Sequence, residues 1–438
     1  MSDFKPPLFH APTWYQHACG PSEPFAPIET SEQAEVVIVG AGLAGLSTAA
    51  YLVEAGINDI AVFEQGQPGE GASGRNGGFV FGGYSLDPAR LARQLGLDAA
   101  RQLQGMTHDA VHRIRRRCAD LEVPIQDHGV VLVDWFKRES QLKQFAEHHR
   151  RYTGQKLEFL TLSERQQHIH SNRYGAALME ADAFHFNPLH YVQALSRWLV
   201  SQGVRLYGHS QVNSLKQHSS AGPNAKHWTI KANGISIETP NLVLSGGGYS
   251  QDSLPRVRPW IQPIGTYIAV SEPIPGTLPA LLPTRSAVYD NRFAFDYYRR
   301  VTNDRLLWGG RISIRDRSPE QIEQLMRKDL RKVFPELADV GFDFSWGGWM
   351  SYARHQMPVL AHPEPGLWLA VAFGGHGMAP TNVAGRVLAD AICGKNDRLQ
   401  RFQAWKPVWA GNRLGRMFAQ LYYWRQQGRD WLRAIGTA

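Results

Sequence analysis

The sequence predicts a mixed α/β protein in two closely packed domains, and three observations lead there. The chain has 438 residues, more than one compact core of ordinary size holds. Near the N-terminus a β-branched run, a glycine turn, a helical pattern and a second apolar run follow one another with the spacing of a β-α-β unit. Further on, at 261–270, 292–298 and 305–308, apolar and aromatic runs look like strands of a sheet in a second region.

In order, residues 1–33 read as an extended arm with Pro6, Pro7, Pro12, Pro21, Pro24 and Pro27, whose Trp14 and Tyr15 are expected to dock on the body. Val36, Val37, Ile38 and Val39 form a buried strand by their β-branched run. A helix over 46–55 stops at Gly56, and 60–63 is the next strand. Helical patterns cover 87–117, 139–151 and 188–202, with strands at 129–135, 204–207, 228–231 and 242–244. A late buried strand at 367–372 leads through a glycine-rich turn into a helix over about 382–392. The tail after Gly394 carries an aromatic, basic helix with Leu421, Tyr422, Tyr423 and Trp424.

Hydrophobic content of 43% and charged content of 20% are those of a globular protein. The formal charge of +8 favours anionic ligands. Nucleic acid is not expected: apart from Arg113, Arg115, Arg116 and Arg117, which read as a solvated helix face, the basic residues are dispersed and do not interleave with aromatics. The three cysteines, Cys19, Cys118 and Cys393, make neither a disulfide framework nor a metal site. They suit a reducing cytoplasm. The polar, proline-rich start is unlike a secretory signal, and no apolar run reaches the roughly 20 residues that span a bilayer.

The first glycine turn carries chemistry. Gly40-x-Gly42-x-x-Gly45, with Leu43 and Ala44 between, sits between strand and helix. Gly40 permits the tight turn, Gly42 lets backbone approach a pyrophosphate, and Gly45 lets helix pack on strand. The helix N-terminus offers free N–H groups to phosphate. Glu64, followed by Gln65, closes the second strand where a carboxylate meets ribose hydroxyls. This is a dinucleotide site, and the acid disfavours a 2′-phosphate.

Two more glycine loops suit an extended cofactor such as FAD better than a nicotinamide. Gly71, Ala72, Ser73, Gly74, Arg75, Asn76, Gly77 and Gly78 can lay backbone N–H groups against phosphate or a flavin ring. Phe373, Gly374, Gly375, His376, Gly377 and Met378 aim a second helix N-terminus at a ligand, expected to be the flavin C2 carbonyl. Taken alone, His376 reads as a structural histidine.

Together with Leu242 to Tyr249, which includes Gly246 and Gly247, and with 305–311, these motifs resemble the FAD-dependent amine and amino-acid oxidoreductases of the D-amino-acid oxidase and glycine/sarcosine oxidase superfamily. Within it the gamma-glutamylputrescine oxidoreductase branch is most similar. The resemblance runs over 14–430. It implies a Rossmann-like FAD-binding domain with an inserted antiparallel-sheet substrate domain. The FAD-binding domain would comprise 34–86, 155–260 and 355–400, the substrate domain 87–154 and 261–354, and the helical tail 401–438. It also implies that the Val212 backbone meets the adenine, and that Ser73, Arg75, Asn76, Gly77 and Gly78 run along pyrophosphate and ring. Three departures stand out. There is no cysteine in Trp349-Met350-Ser351-Tyr352, so FAD is expected to be non-covalent. There is no lysine on Leu306-Leu307-Trp308 to help oxygen react. There is no cation in Met378-Ala379-Pro380 to hold an α-carboxylate.

The expected chemistry is oxidation of a small amine, in polyamine catabolism, by hydride transfer to flavin N5, with O2 or another acceptor restoring the flavin. Tyr267, Phe295, Tyr297, Trp349, Tyr352 and His376 are the candidate pocket residues, though each aromatic also reads as core packing. Arg292, Arg311 and Arg354 could hold a distal carboxylate or make structural salt bridges. Two rivals remain: an amino-acid or N-alkyl amino-acid dehydrogenase or oxidase that uses a quinone or other acceptor, and a non-catalytic flavin-binding subunit. In a version of the first that works at a membrane surface, the basic aromatic tail (Arg413, Arg416, Tyr422, Tyr423, Trp424, Arg425, Arg429, Trp431 and Arg433) touches anionic lipid, but a helix docked on the body is the expected reading of that tail.

Overall fold

The computed structural model describes residues 11–219, 226–250, 254 and 256–435. Its framework is a six-stranded sheet in the order Arg205–Tyr207, Ile60–Phe63, Val36–Val39, Asn241–Leu244, Leu367–Val371 and Val359–Glu364. The first five strands are mutually parallel and the last is antiparallel. Strands 36–39 and 60–63 are buried at every position, as a parallel sheet covered on both faces requires.

Alternation divides their side chains between two layers. Val36, Ile38, Ile60, Val62 and Val243 pack under helices Leu43–Glu54, Pro188–Ser201 and Met378–Ile392. Val37, Val39, Ala61, Phe63, Leu242 and Leu244 face a four-stranded sheet through Trp228, Ile230 and Ile237.

The second region is an eight-stranded sheet ordered Phe342–Tyr352, Gln262–Ser271, Arg305–Ser313, Tyr297–Val301, Ala287–Asp290, Val130–Val133, Ala177–Glu180 and Glu158–Leu160. All neighbours are antiparallel except Ala287–Asp290 with Val130–Val133. Helix Pro319–Val333 covers one face through Ile322, Met326 and Leu330. The other face turns toward the parallel sheet through Ile268, Val270, Leu307 and Trp346. These pack with Trp14 and Tyr15 of the arm, both buried.

The segment boundaries differ from expectation in two places. Strands Glu158–Leu160 and Ala177–Glu180 pair within the eight-stranded sheet, whereas the expected boundaries place 155–260 wholly in the other domain. Helix Leu97–Asp120, expected with the substrate domain, buries Leu103, Ala110, Val111 and Ile114 in the core of the parallel sheet. Short strands and apolar helix faces do not announce their partner sheet in local sequence. The tail forms helix Asn412–Ile435. It is held by the Ile312 N–H donating to the Tyr423 hydroxyl (3.0 Å) and the Phe293 N–H donating to the Asp430 carboxylate (2.9 Å).

Candidate active site

Four loops meet at the carboxyl ends of the parallel strands. Strand Val36–Val39 lies between its sequence successor Ile60–Phe63 and the later Asn241–Leu244, so the order reverses there and a ligand crevice opens. Gly40 leaves that strand at φ +109°, a conformation that favours glycine. A Cβ on Gly45 would collide with the Gly40 carbonyl oxygen, and one on Gly42 would approach Ser73 Oγ to 2.7 Å. Helix Leu43–Glu54 has no side-chain cap of its own, and its Leu43 N–H donates to Ser73 Oγ at 2.9 Å.

Glu64 accepts the Ala41 N–H at 2.8 Å and the Gly66 N–H at 3.3 Å. Burial raises its carboxyl above the ordinary range, opposed by these bonds and one from the Gln65 backbone. The Ser210 N–H donates to the Glu64 carbonyl (2.7 Å), which brings Val212 alongside the same strand end.

The loop 71–78 joins the two sheets. Arg75 donates to the carbonyls of Gly347 (3.0 Å) and Ala11 (2.7 Å), so its side chain is a structural tie and only its backbone borders the crevice. Asn76 folds onto its own turn, donating to the Ala72 and Ser73 carbonyls and accepting the Gly78 N–H. Arg299 clamps the far end through the carbonyls of Gly77 (2.9 Å) and Phe186 (2.9 Å). The four-residue turn Ala72–Arg75 includes Gly74, packed against Leu189.

From the opposite side, Gly246 and Gly247 follow strand Asn241–Leu244, and Ser245 Oγ donates to the Gly40 carbonyl at 3.1 Å. After strand Leu367–Val371, the Gly374 N–H donates to the Ser351 carbonyl (2.7 Å) and the Gly375 N–H to Ser85 Oγ (3.1 Å). Gly377 then starts helix Met378–Ile392 without a side-chain cap, leaving a second helix N-terminus for a ligand.

An aromatic arc rises from these loops. His376 meets Phe81 edge-on (5.3 Å), Phe81 stacks on Tyr289 (6.0 Å), Tyr289 meets Phe295 (5.9 Å), Phe295 meets Tyr297 (6.2 Å), and Tyr297 meets Phe79 (5.5 Å). Burial pulls His376 down to about 4. Tyr352 stands over Gly374 and Gly375, and burial pushes its phenol up to about 12. Behind Tyr289 lies Glu180, which accepts the Gly82 N–H and is pushed up to about 7, chiefly by burial.

The structure thus brings His376, Tyr352, Tyr297 and Phe295 together at the loops. Tyr267 and Trp349 are corrected. The pairs Tyr267↔Gly347 and Gly265↔Trp349 place both side chains on the face away from Trp346. Tyr267 donates to the Arg315 carbonyl (2.6 Å), and the Trp349 ring lies over Gly265. The expected carboxylate anchors are corrected as well. Arg292 is paired with Asp290 and Asp296 (both 2.6 Å), Arg311 with Asp329 (2.6 Å), and Arg354 is exposed. Phe79, Phe81, Tyr289 and Glu180 were not anticipated. Only the first two carried a signal, as the aromatics directly after Gly77-Gly78.

Glycine cradles that a Cβ would fill, a half-buried acid at the second strand end and two uncapped helix N-termini all fit a long dinucleotide. The family model described as FAD dependent oxidoreductase (DAO) matches residues 35–391. The chain belongs to this family. The oxidoreductase is therefore FAD-dependent. The gamma-glutamylputrescine oxidoreductase of Escherichia coli (strain K12) is 28% identical over 397 residues, 90% of this chain and 91% of that protein. Glycine oxidase from Geobacillus kaustophilus superposes with a TM-score of 0.68 at 19% identity, covering 86% of this chain and 98% of that one. L-proline dehydrogenase from P. horikoshii gives 0.69 at 16%, with coverage of 86% and 97%. An oxidase and a dehydrogenase thus share this fold, and the fold alone does not choose the acceptor.

Proposed function

We propose that this flavoenzyme oxidises an amine of the gamma-glutamylputrescine class, or a related polyamine derivative, at the carbon beside the nitrogen. The observation that carries the reading is the arc from Phe79 to His376 with the Glu180 carboxylate behind it. An α-amino acid would call for a cation, whereas Arg299 and Arg311 on the neighbouring strands and Arg292 in the turn between two of them are taken up by carboxylates and carbonyls. Met378, Ala379 and Pro380 begin the nearby helix with no charge. The similarity to the Escherichia coli enzyme supports the same class.

Aromatic walls disfavour an ammonium and so deliver the reacting amine neutral. Tyr297, Phe295 and Phe81 exclude water and orient its carbon. Glu180 receives a second, charged nitrogen of the substrate. His376, neutral at physiological pH, fills the corner above the Gly374–Gly377 turn without competing for protons. The loops of Gly40–Gly45, 71–78 and 374–378 would hold FAD, which when bound would supply a hydride acceptor at N5, with O2 (giving H2O2) or another acceptor taking the electrons. As the hydride leaves, the amine lone pair forms the C=N bond, its proton goes to water, and hydrolysis of the imine yields an aldehyde. Non-covalent FAD agrees with the positions of Cys19, which ends a short helix Trp14–Cys19 within the arm expected to be extended, Cys118 in the core and Cys393 on the surface. Their unpaired state supports a cytoplasmic setting.

The test is anaerobic bleaching of the flavin by gamma-glutamylputrescine, free putrescine, sarcosine, glycine and D-amino acids, followed by air. Bleaching by the polyamine derivative with recolouring and peroxide is the expected result. Bleaching by α-amino acids alone overturns the substrate. Bleaching without recolouring assigns a different acceptor, a reading favoured by the absence of lysine from strand Arg305–Ser313.

A further inference from the structure

Helix Asn412–Ile435 is amphipathic in the inverted sense. Its inward edge is the polar one: Tyr423 and Asp430 are buried and hold Ile312, Phe293 and Ala294, and Gln420 accepts the Ile314 N–H at 3.1 Å. Its outward face carries Leu414, Phe418, Leu421, Trp424, Trp431 and Leu432, each between 54% and 68% exposed. At 3.6 residues per turn these positions form one stripe roughly opposite Tyr423 and Asp430. Trp409, 59% exposed, precedes the helix. An apolar stripe of this extent, fixed to the body by hydrogen bonds on its other edge, marks an interaction surface.

The charges beside the stripe have one sign. Asp430 is the helix's only acid and it is turned inward. Arg425, Arg429 and Arg433 run along one flank at four-residue spacing, and among the described residues none is in an ion pair. On the other flank Trp424 and Gln427 border a cleft of about 120 Å³ that Arg315 and Arg317 line. Arg317 Nε is buried there without a hydrogen-bond partner.

We propose that this helix seats the enzyme on an anionic bilayer surface. The leucine, phenylalanine and tryptophan side chains enter the headgroup–acyl boundary, and lipid phosphates meet the arginines on both flanks. Among the described residues no helix is long and apolar enough to cross a membrane, so the contact is parallel to the surface. A second copy joined through this face would bring two like-charged arginine rows together around its rim, which disfavours that occupant. The proposal stands apart from the identity of the substrate.

The test is co-sedimentation of the full-length holoenzyme with phosphatidylcholine vesicles, with and without phosphatidylglycerol, at low and high salt. Strong partition onto the anionic vesicles alone, weakened by salt, is expected. Phe418→Ser with Leu421→Ser, and separately Arg425→Gln with Arg429→Gln, should each lower the partition about ten-fold or more, with bound flavin and turnover of soluble substrate unchanged. The salt dependence of the unaltered protein decides the matter even if a variant loses its flavin. Absence of partition onto either vesicle overturns the proposal. So does partition that salt does not change, and so does a concentration-dependent dimer, dissolved by the serine pair, that ignores vesicles.

Discussion

Phe81 meets the imidazole of His376 edge-on, with ring centroids 5.3 Å apart, and this contact closes the corner between the 77–81 segment and the Gly374–Gly377 turn. Burial holds His376 at about 4, so the ring is neutral wherever the enzyme works and its titration cannot shape the activity profile near neutrality. The rate of flavin reduction by substrate should therefore show no limb from His376 between about pH 5 and 9. His376→Asn should slow that reduction about 10²-fold by loosening the corner, without changing the pH dependence. Stability has the opposite sensitivity. The folded pKa lies below the unfolded one, so the unfolded chain binds the extra proton between them. The contribution is complete above about pH 6.5 and is lost as pH falls toward 4. A shift in the neutral limb of the reduction profile on replacing His376 would contradict this account.

Glu180 points the other way. Burial beside Tyr289 lifts its carboxyl to about 7. If it receives the charged nitrogen of the substrate, KM should fall as pH rises through about 7, where the carboxylate forms. Glu180→Gln should raise KM by about 10- to 100-fold, flatten that dependence and leave kcat near its original value. With the folded pKa raised, the folded state keeps a proton that the unfolded chain releases above about 4.5. The stabilising contribution is therefore present at low pH and lost as pH rises through 7, and Glu180→Gln should be more stable than the parent at pH 8. Steady-state kinetics at three pH values check the first part, and thermal melts check the second.

The readable parts of this site are those whose chemistry is local. Gly40, Gly42, Gly45 and Glu64 follow from one strand–turn–helix–strand sequence because each residue answers a constraint set by its immediate neighbours. The pocket wall is different. Tyr267 and Thr266 are adjacent, yet a pleat sends them to opposite faces, and only the register against Phe342–Tyr352 decides which faces the flavin loops. Phe81 and Tyr289 stack although they are far apart in sequence, and no local pattern encodes that. Arg292 could have been read correctly, because Asp290 and Asp296 lie two and four residues away. Strands Glu158–Leu160 and Ala177–Glu180 are too short to declare their sheet.

The turn at Gly45 offers a test of cofactor binding alone. An alanine methyl there would overlap the Gly40 carbonyl, and both atoms belong to backbone that the sheet holds in place. The helix must retreat from the strand, carrying its N-terminal N–H groups away from where the proposed FAD pyrophosphate would sit. Gly45→Ala should purify with a markedly lower flavin-to-protein ratio and bind added FAD about ten-fold more weakly or worse. Retention of full flavin with unchanged affinity would refute the tight packing of this helix on its strand.

The Arg292 cluster distinguishes a structural cation from a substrate anchor. Its guanidinium bridges Asp290 and Asp296 and lies 3.6 Å from the centroid of the Trp135 ring. Both carboxylates are buried, and burial holds Asp296 well above the ordinary range even with the arginine present. Arg292→Met would leave two uncompensated buried acids and should cost about 3–5 kcal/mol of stability. Asp296 resists ionisation, so the loss should deepen as pH rises from 5 to 8. Adding Asp296→Asn should recover part of it, because one buried charge is then gone. KM for the amine should stay within about two-fold in whatever fraction remains folded, since the guanidinium reaches no substrate. A large rise in KM with the melting temperature intact would instead make Arg292 a ligand for the substrate's distal carboxylate.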